Sequence, residues 1–416
     1  MGLRSYIVTR ILLMIPMIFL LLSIVFLIIR VMPGDPVLLH FERKASEEAM
    51  AEMRHALGMD KPLYVQYFEY LAGLLRGDLG KSMAPGRHSI SQDIFSAFPA
   101  TLELALFSML IAVGIGILLG VRASKSYNSV QDQLVRVFGT VIYAIPIFFL
   151  GMIFQLIFAI NFHWLPANGR FPPRLAGAIE EPSGLILYLS KPAGGFVQVL
   201  MWSFPAGFMC WAICLVALKR KRVKFWQKGF LISLLALLAG WIVYAYLAWH
   251  FMCVGVLHIS TGLFTIDSLL EGSPLKFVES LRYLFLPSLT LGLVLSGVFI
   301  RLTRSNMLET LRLDFVTAAR ARGLKETAVV YGYAFRNAFL PVLTMMGLQF
   351  AMLLGGAILT ETTFSWDGLG TYLVERIEFR DYTAIQGAVV FFGILVAIVS
   401  LVIDILYAYL DPRIRF

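Results

Sequence analysis

Residues 283–303 read YLFLPSLTLGLVLSGVFIRLT, and residues 304–323 continue RSNMLETLRLDFVTAARARG. The first stretch is about twenty predominantly apolar residues, the length at which a helix crosses the hydrocarbon core of a bilayer. The second is basic, rich in helix formers and closed by a glycine, so the chain leaves the apolar phase and turns. The same ruler marks spans near 10–31, 98–121, 138–161, 197–218, 229–256, 337–360 and 384–410. Composition agrees: 59% of the 416 residues are apolar, 15% are charged, and the mean hydropathy is +0.78. A soluble domain carries about 25% charged residues. The fold expected is all-α and integral to the membrane, a polytopic helical bundle of about eight spans.

The same figures exclude disorder, a collagen-like chain and a disulfide scaffold. The three cysteines (Cys210, Cys214, Cys253) lack metal-ligand spacing with the six scattered histidines, and Cys210 and Cys214 sit four apart on an apolar helix, where packing is the expected role. The first apolar run is long enough to span and lacks a small-residue cleavage pattern, so no cleavable signal peptide is expected.

Charge orients the bundle. With the N-terminus cytoplasmic, the inside segments hold 20 of the 35 basic residues and 5 acidic ones, including Lys219, Arg220, Lys221, Arg222, Lys224 and Lys228 in one short loop. The outside segments hold 15 basic and 19 acidic residues, so both termini are placed in the cytoplasm. The net charge of +9 follows from this bias and requires no nucleic-acid partner.

Two regions do not span. Residues 32–97 form an outside segment with a Pro-Gly-Asp-Pro turn at 33–36 and a short helix over 46–58 capped by Ser46. Residues 304–336 form the longest polar inside loop: a helix, a turn at Gly323, a second helix, and re-entry into the membrane at Pro341. Ala318, Ala319 and Ala321 present a flat surface suited to docking in a groove of another protein, and Arg320 and Arg322 beside them suit acidic groups on that partner. The plainer alternative is an ordinary basic cytoplasmic loop.

The segment Thr317-Ala-Ala-Arg-Ala-Arg-Gly-Leu324, followed by Arg336-Asn-Ala-Phe-Leu-Pro341, resembles the coupling loop of ABC-importer permeases of the dipeptide, oligopeptide and nickel branch. Further motifs carry the likeness: Tyr6-Ile-Val-Thr-Arg-Ile-Leu-Leu13, Met32-Pro-Gly-Asp-Pro36, Leu57-Gly-Met-Asp-Lys-Pro-Leu63, Gly77-Asp-Leu-Gly80 and Pro99-Ala-Thr-Leu-Glu-Leu104. Toward the end come Glu361-Thr-Thr-Phe-Ser-Trp-Asp-Gly-Leu-Gly370, Arg380-Asp-Tyr382 and Leu410-Asp-Pro-Arg-Ile-Arg-Phe416.

The resemblance implies a six-span importer core with two inserted spans. Its parts are an N-terminal tail and first span (1–31), an extracytoplasmic segment (32–97), the second and third spans (98–169), the insertion (170–282), and core spans with the coupling loop (283–416). It implies that Asp314, Thr317, Ala318, Ala319, Arg320, Arg322, Gly323, Leu324, Arg336, Asn337 and Pro341 form the ATPase-coupling loop. It also implies a second homologous permease, two ATP-binding subunits and an extracellular solute-binding protein, all at the cell membrane. Thr317 departs from the general Glu-Ala-Ala pattern, and the long insertion departs from the usual short link. A packing or lipid-contact role is expected for the insertion, whose basic cluster suits an anionic inner leaflet.

The chain carries no Walker A loop of its own. Gly80-Lys81-Ser82 mimics the end of one, but Leu75 stands where its first glycine belongs. No cofactor is expected on this chain; ATP and Mg are expected on the partner subunits, and no metal site is expected here.

Phe364, Trp366, Asp367 and Gly370 lie on an outside segment, either as an interfacial aromatic belt or as a gate or binding-protein contact. Asp404 is an intramembrane polar candidate, with an arginine or hydroxyl partner on a neighbouring helix or a substrate role as alternatives. Glu103 is expected at the outer interface and solvated. The function expected is half of an import pore for peptides. Oligosaccharides or nickel as cargo, or a non-transport scaffold or receptor, are the alternatives.

Overall fold

The computed structural model describes residues 3–31, 46–56, 58–83, 88–170, 186–190, 256–270, 274–355 and 357–410. The chain divides into two compact units, Met1–Arg170 with Tyr283–Phe416, and Phe171–Arg282. Cys210, Cys214, the basic run 219–228, the turn at 33–36 and the spans read at 197–218 and 229–256 lie outside the described residues, save Val256.

The first unit is helical. In chain order its long elements are α1 (Leu3–Val31), α2 (Glu47–Ala56), α3 (Leu63–Leu75), α4 (Ile90–Lys125), α5 (Val130–Ala144) and α6 (Ile147–Asn161, whose last seven residues wind as a π-helix). The second unit's described residues hold an antiparallel pair, β1 (Ile186–Ser190) and β2 (Val256–Ser260), with Ile186 opposite Ser260. This pair is a local exception to the all-α expectation, and Val256 opens β2 where a span was read to end. Then come α7 (Phe264–Leu270) and α8 (Pro274–Thr310), the latter running back into the first unit. The chain closes with α9 (Asp314–Ala321), α10 (Glu326–Leu354), α11 (Ile358–Phe364), α12 (Leu369–Glu378) and α13 (Tyr382–Leu410).

Among the described residues five helices are long and apolar enough to cross a membrane: α1, α4, α8, α10 and α13. The straight span read at 138–161 is corrected. The chain bends by 99° between α5 and α6, and the pair is one span only if counted together. Proline at 146 is the cause: it holds Ile145 extended (ψ 128°) and restarts the helix with its own fixed φ. The span read at 337–360 begins earlier, as α10 passes unbroken through Pro341, and ends at Leu354.

Helices α4 and α8 meet along small residues. A Cβ on Gly120 would lie 2.7 Å from the Thr303 Cβ, and one on Gly292 would lie 2.8 Å from the Ser108 carbonyl oxygen. Gly116 sits one turn from Gly120 and faces Phe299. Such spacing lets two backbones approach where lipid offers no hydrophobic drive, leaving van der Waals packing to hold the pair. The core around this seam joins Leu104 and Met109 of α4, Leu291 and Phe299 of α8, and Val342 and Leu354 of α10.

Candidate functional site

The loop between α8 and α10 is built on its apolar positions. Val316 and Ala319, three apart on α9, are buried and pack with Val121 of α4, Met307 of α8 and Val329, Val330 and Ala334 of α10. Asp314 lies in the first turn, where a carboxylate favours the helix N-terminus. Gly323 takes φ +72°, the left-handed conformation that ends a helix with least strain on glycine, and its N–H donates to the Arg320 carbonyl at 2.9 Å.

The flat alanine surface is therefore corrected. Ala319 is 3% exposed and faces the chain's own helices, because the face that carries Val316 must be buried; Ala318 and Ala321 remain outward with Thr317, Arg322 and Leu324. Arg320 is also occupied within the loop. It forks onto the Glu326 carboxylate at 2.9 and 3.2 Å, and that hydrogen-bonded pairing raises its pKa. Arg336, Asn337 and Pro341 are exposed along the middle of α10, where the Asn337 amide donates to the Tyr333 carbonyl at 3.2 Å.

The helices α11 and α12 carry the other cluster. Glu361 is fully buried: its carboxylate accepts from the Thr101 hydroxyl at 2.7 Å, the Gly370 N–H at 2.7 Å and the Thr371 N–H at 3.2 Å. Burial pushes its pKa up, against the pull of those donors and of Arg170. Thr101 in turn accepts from the Leu369 N–H at 2.8 Å, and the Trp366 indole donates to the Ala100 carbonyl at 2.9 Å. A Cβ on Gly368 or Gly370 would fall 2.5 or 2.7 Å from the Glu361 carboxylate oxygens, so glycine at both places makes room for the acid.

These contacts correct two expectations. Phe364 and Trp366 are 2% and 1% exposed, so their rings cannot form an interfacial belt or a docking contact; of the four residues singled out there, Asp367 alone is exposed. Glu103 is 2% exposed and pairs with Arg170 at 2.7 Å, with the guanidinium 5.6 Å from the Trp366 ring, because an unpaired carboxylate inside this packing would be too costly. A second staple lies nearby. Asp381, also buried, accepts from the Ser82 hydroxyl, the Met83 N–H at 3.0 Å and the Ala384 N–H at 3.0 Å, capping α13 while tying it to residues 82–83. Asp404 on α13 pairs with Arg10 of α1 at 3.3 Å, which supplies the arginine partner on a neighbouring helix.

Sequence reading missed Asp132, fully buried in the loop-side end of α5 and held by Arg304 of α8 at 2.6 and 2.8 Å. Its only signal was an acid in a segment otherwise counted as basic. Glu361, Thr101 and Asp381 stood inside quoted motifs, but their pairing had no local signature.

The fold and these clusters define a multi-pass membrane protein with no cluster of His, Cys, Asp or Glu able to hold a metal among the described residues. The chain belongs to the family described as binding-protein-dependent transport system inner membrane component, matched over residues 112–416, with the N-terminal model of the same systems matched over residues 3–105. It is similar to the di/tripeptide transport system permease protein DppB of Pseudomonas aeruginosa, 35% identical over 412 residues, covering 99% of this chain and 98% of that protein. The dipeptide transport system permease protein DppB of Escherichia coli K12 is 31% identical over 412 residues, with coverage of 99% and 98%. The glutathione transport system permease protein GsiC of Salmonella typhimurium is 30% identical over 412 residues, covering 99% of each chain.

Proposed function

We propose that this chain forms half of a peptide-import pore at the cell membrane and couples to separate ATPase subunits through residues 304–336. The observation that carries the coupling is the seat of α9. Its buried edge, Val316 and Ala319, packs on α4, α8 and α10 together, while Thr317, Ala318, Ala321 and Arg322 stay exposed beside the Gly323 turn. A push on that exposed face reaches three membrane helices at once. Two ATP-binding subunits would supply it, with ATP and Mg bound there, and a second permease would complete the pore. The peptide cargo is supported by the relatives, which are named as permeases of di/tripeptide, dipeptide and glutathione transport systems. The positive-inside bias supports cytoplasmic termini and an eight-span topology, with a solute-binding protein docking on the opposite side.

The decisive test is ATP turnover of the reconstituted complex with its binding protein, loaded in turn with short peptides, oligosaccharides and nickel. Stimulation by peptides alone is expected. Stimulation by sugars or nickel alone would replace the cargo, and a purified chain that retains no ATPase subunits would sink the coupling role.

A further inference from the structure

Beyond import, we propose that a groove at the loop-side end of the bundle binds the headgroup of an anionic phospholipid. The groove spans about 610 Å³ among the α4–α5 turn, α5, α8 and the turn after α8, lined by Tyr127, Asn128, Arg136, Arg304, Glu309 and Arg312 together with Leu308 and Leu313. Three guanidiniums converge there from three separate places in the chain: α5, α8 and the turn that follows α8. Against them stand Glu309 and, behind Arg304, the buried Asp132, so the cluster keeps a net charge of +1 (three cations less two carboxylates).

The three arginines are not equivalent. Arg304 is fixed by its two bonds to Asp132 and lies 5.8 Å from the Tyr127 ring. Arg136 reaches Asp132 only at 3.9 Å and is half exposed. Arg312 has no ion pair among the described residues and is exposed. One arginine is thus preorganised and two are available, and a guanidinium fork matches a phosphate diester with two parallel N–H donors. Basic pockets between membrane helices at such a border are where anionic headgroups bind.

The surroundings favour a lipid over a soluble anion or an acidic protein segment. Val130, Leu134, Val137 and Val141 of α5 are 71%, 64%, 60% and 52% exposed. At 100° per residue these four fall on one stripe of the helix, along the same turns of α5 as Arg136, which itself lies about 100° round from the stripe on the face that carries Asp132. The groove also begins at Arg304, just past the end of the apolar run of α8 at Ile300.

The test is native mass spectrometry of the assembled, delipidated transporter titrated with phosphatidylglycerol and with phosphatidylcholine. The double variant Arg136→Ala/Arg312→Ala is expected to weaken one phosphatidylglycerol-binding event by about tenfold or more and leave phosphatidylcholine unchanged. Glu309→Gln, an exposed change that leaves the Asp132–Arg304 pair intact, is expected to tighten the same event, which keeps the proposal testable should the double variant fail to assemble. Equal phosphatidylglycerol binding in wild type and double variant, or no tightening in Glu309→Gln, would overturn it. So would complete displacement of that lipid by millimolar inorganic phosphate, which would assign the groove to a small anion. Lipid binding seen with the permease subunits alone but absent from the assembled transporter would assign it to a protein segment instead.

Discussion

Two contacts at opposite ends of the helical unit are held by opposite chemistry, although the loop end also keeps the buried Asp132–Arg304 pair between α5 and α8. At the loop end, α9 rests on its neighbours through small apolar side chains, Val316 and Ala319 against Val121, Met307 and Val329, with its one ion pair, Arg320 to Glu326, out in solvent. At the other end, α11 and the turn after it are stitched to α4 by buried polar groups, Glu361 to Thr101 and Trp366 to the Ala100 carbonyl, while Glu103 of α4 holds Arg170 of the segment after α6. An apolar seat loses energy gradually as it shifts, in proportion to the contacts parted. A buried carboxylate loses its donors at discrete steps, and each orphaned group carries the full desolvation penalty. The difference teaches which end can transmit a displacement and which end resists one.

The strongest way to break this contrast is to remove the acid at its centre. Glu361→Ala strands the Thr101 hydroxyl and the Gly370 and Thr371 N–H groups, and is expected to destabilise the protein by about 3 kcal/mol or more. Thermal unfolding of the purified protein checks it, with Glu361→Gln expected to recover part of the loss because the amide oxygen still accepts. A stability unchanged in both variants would show that the staple does not hold α12.

Next in size is the seat of α9. Ala319→Leu forces a larger side chain into a closed contact at about 1–3 kcal/mol. Here the readout is local: the protein still inserts, but α9 lifts from α4 and α10, and co-purification of the ATPase subunits is expected to fall sharply. Normal ATPase retention would separate the seat from coupling. Gly323→Ala places a Cβ at φ +72° and is expected to cost about 1–2 kcal/mol at the turn. Gly323→Pro, whose ring forbids that φ altogether, is expected to abolish uptake as measured with labelled dipeptide.

The smallest effect belongs to Arg320. Its pair with Glu326 has side chains 43% and 55% exposed, so Arg320→Ala is expected to change stability by less than about 1 kcal/mol. If the loop acts through its outward face, peptide-stimulated ATP turnover will drop while the unfolding temperature stays put. A joint fall in both would place Arg320 with the structural contacts and blur the comparison between the two ends.

Much of the architecture was legible in the chain. Apolar runs of bilayer length located all five of the long helices described, but the run at 138–161 was read straight through Pro146, where the chain bends by 99°. The helix ending at Gly323 was equally readable, since a left-handed residue after a run of helix formers calls for glycine. The outer clusters were not. Glu103 read as solvated because a glutamate near a span end carries no local mark of its partner, and Arg170 lies 67 residues away. Phe364 and Trp366 read as surface aromatics because a belt residue and a core residue have the same side chain.

Spans, basic loops, turns and family motifs are local patterns of hydropathy and backbone preference, and the sequence by itself determined them. Tertiary structure alone decided which motifs meet, as Thr101 and Glu361 do across 260 residues and Ser82 and Asp381 across 299. It also decided that α9 turns Ala319 inward and leaves Ala318 out, since helical period names the faces of a helix but only the packing of α4, α8 and α10 chooses which is buried. A hydrogen bond needs its two ends at about 3 Å, and that distance is settled by how distant segments pack, which no local stretch of sequence records.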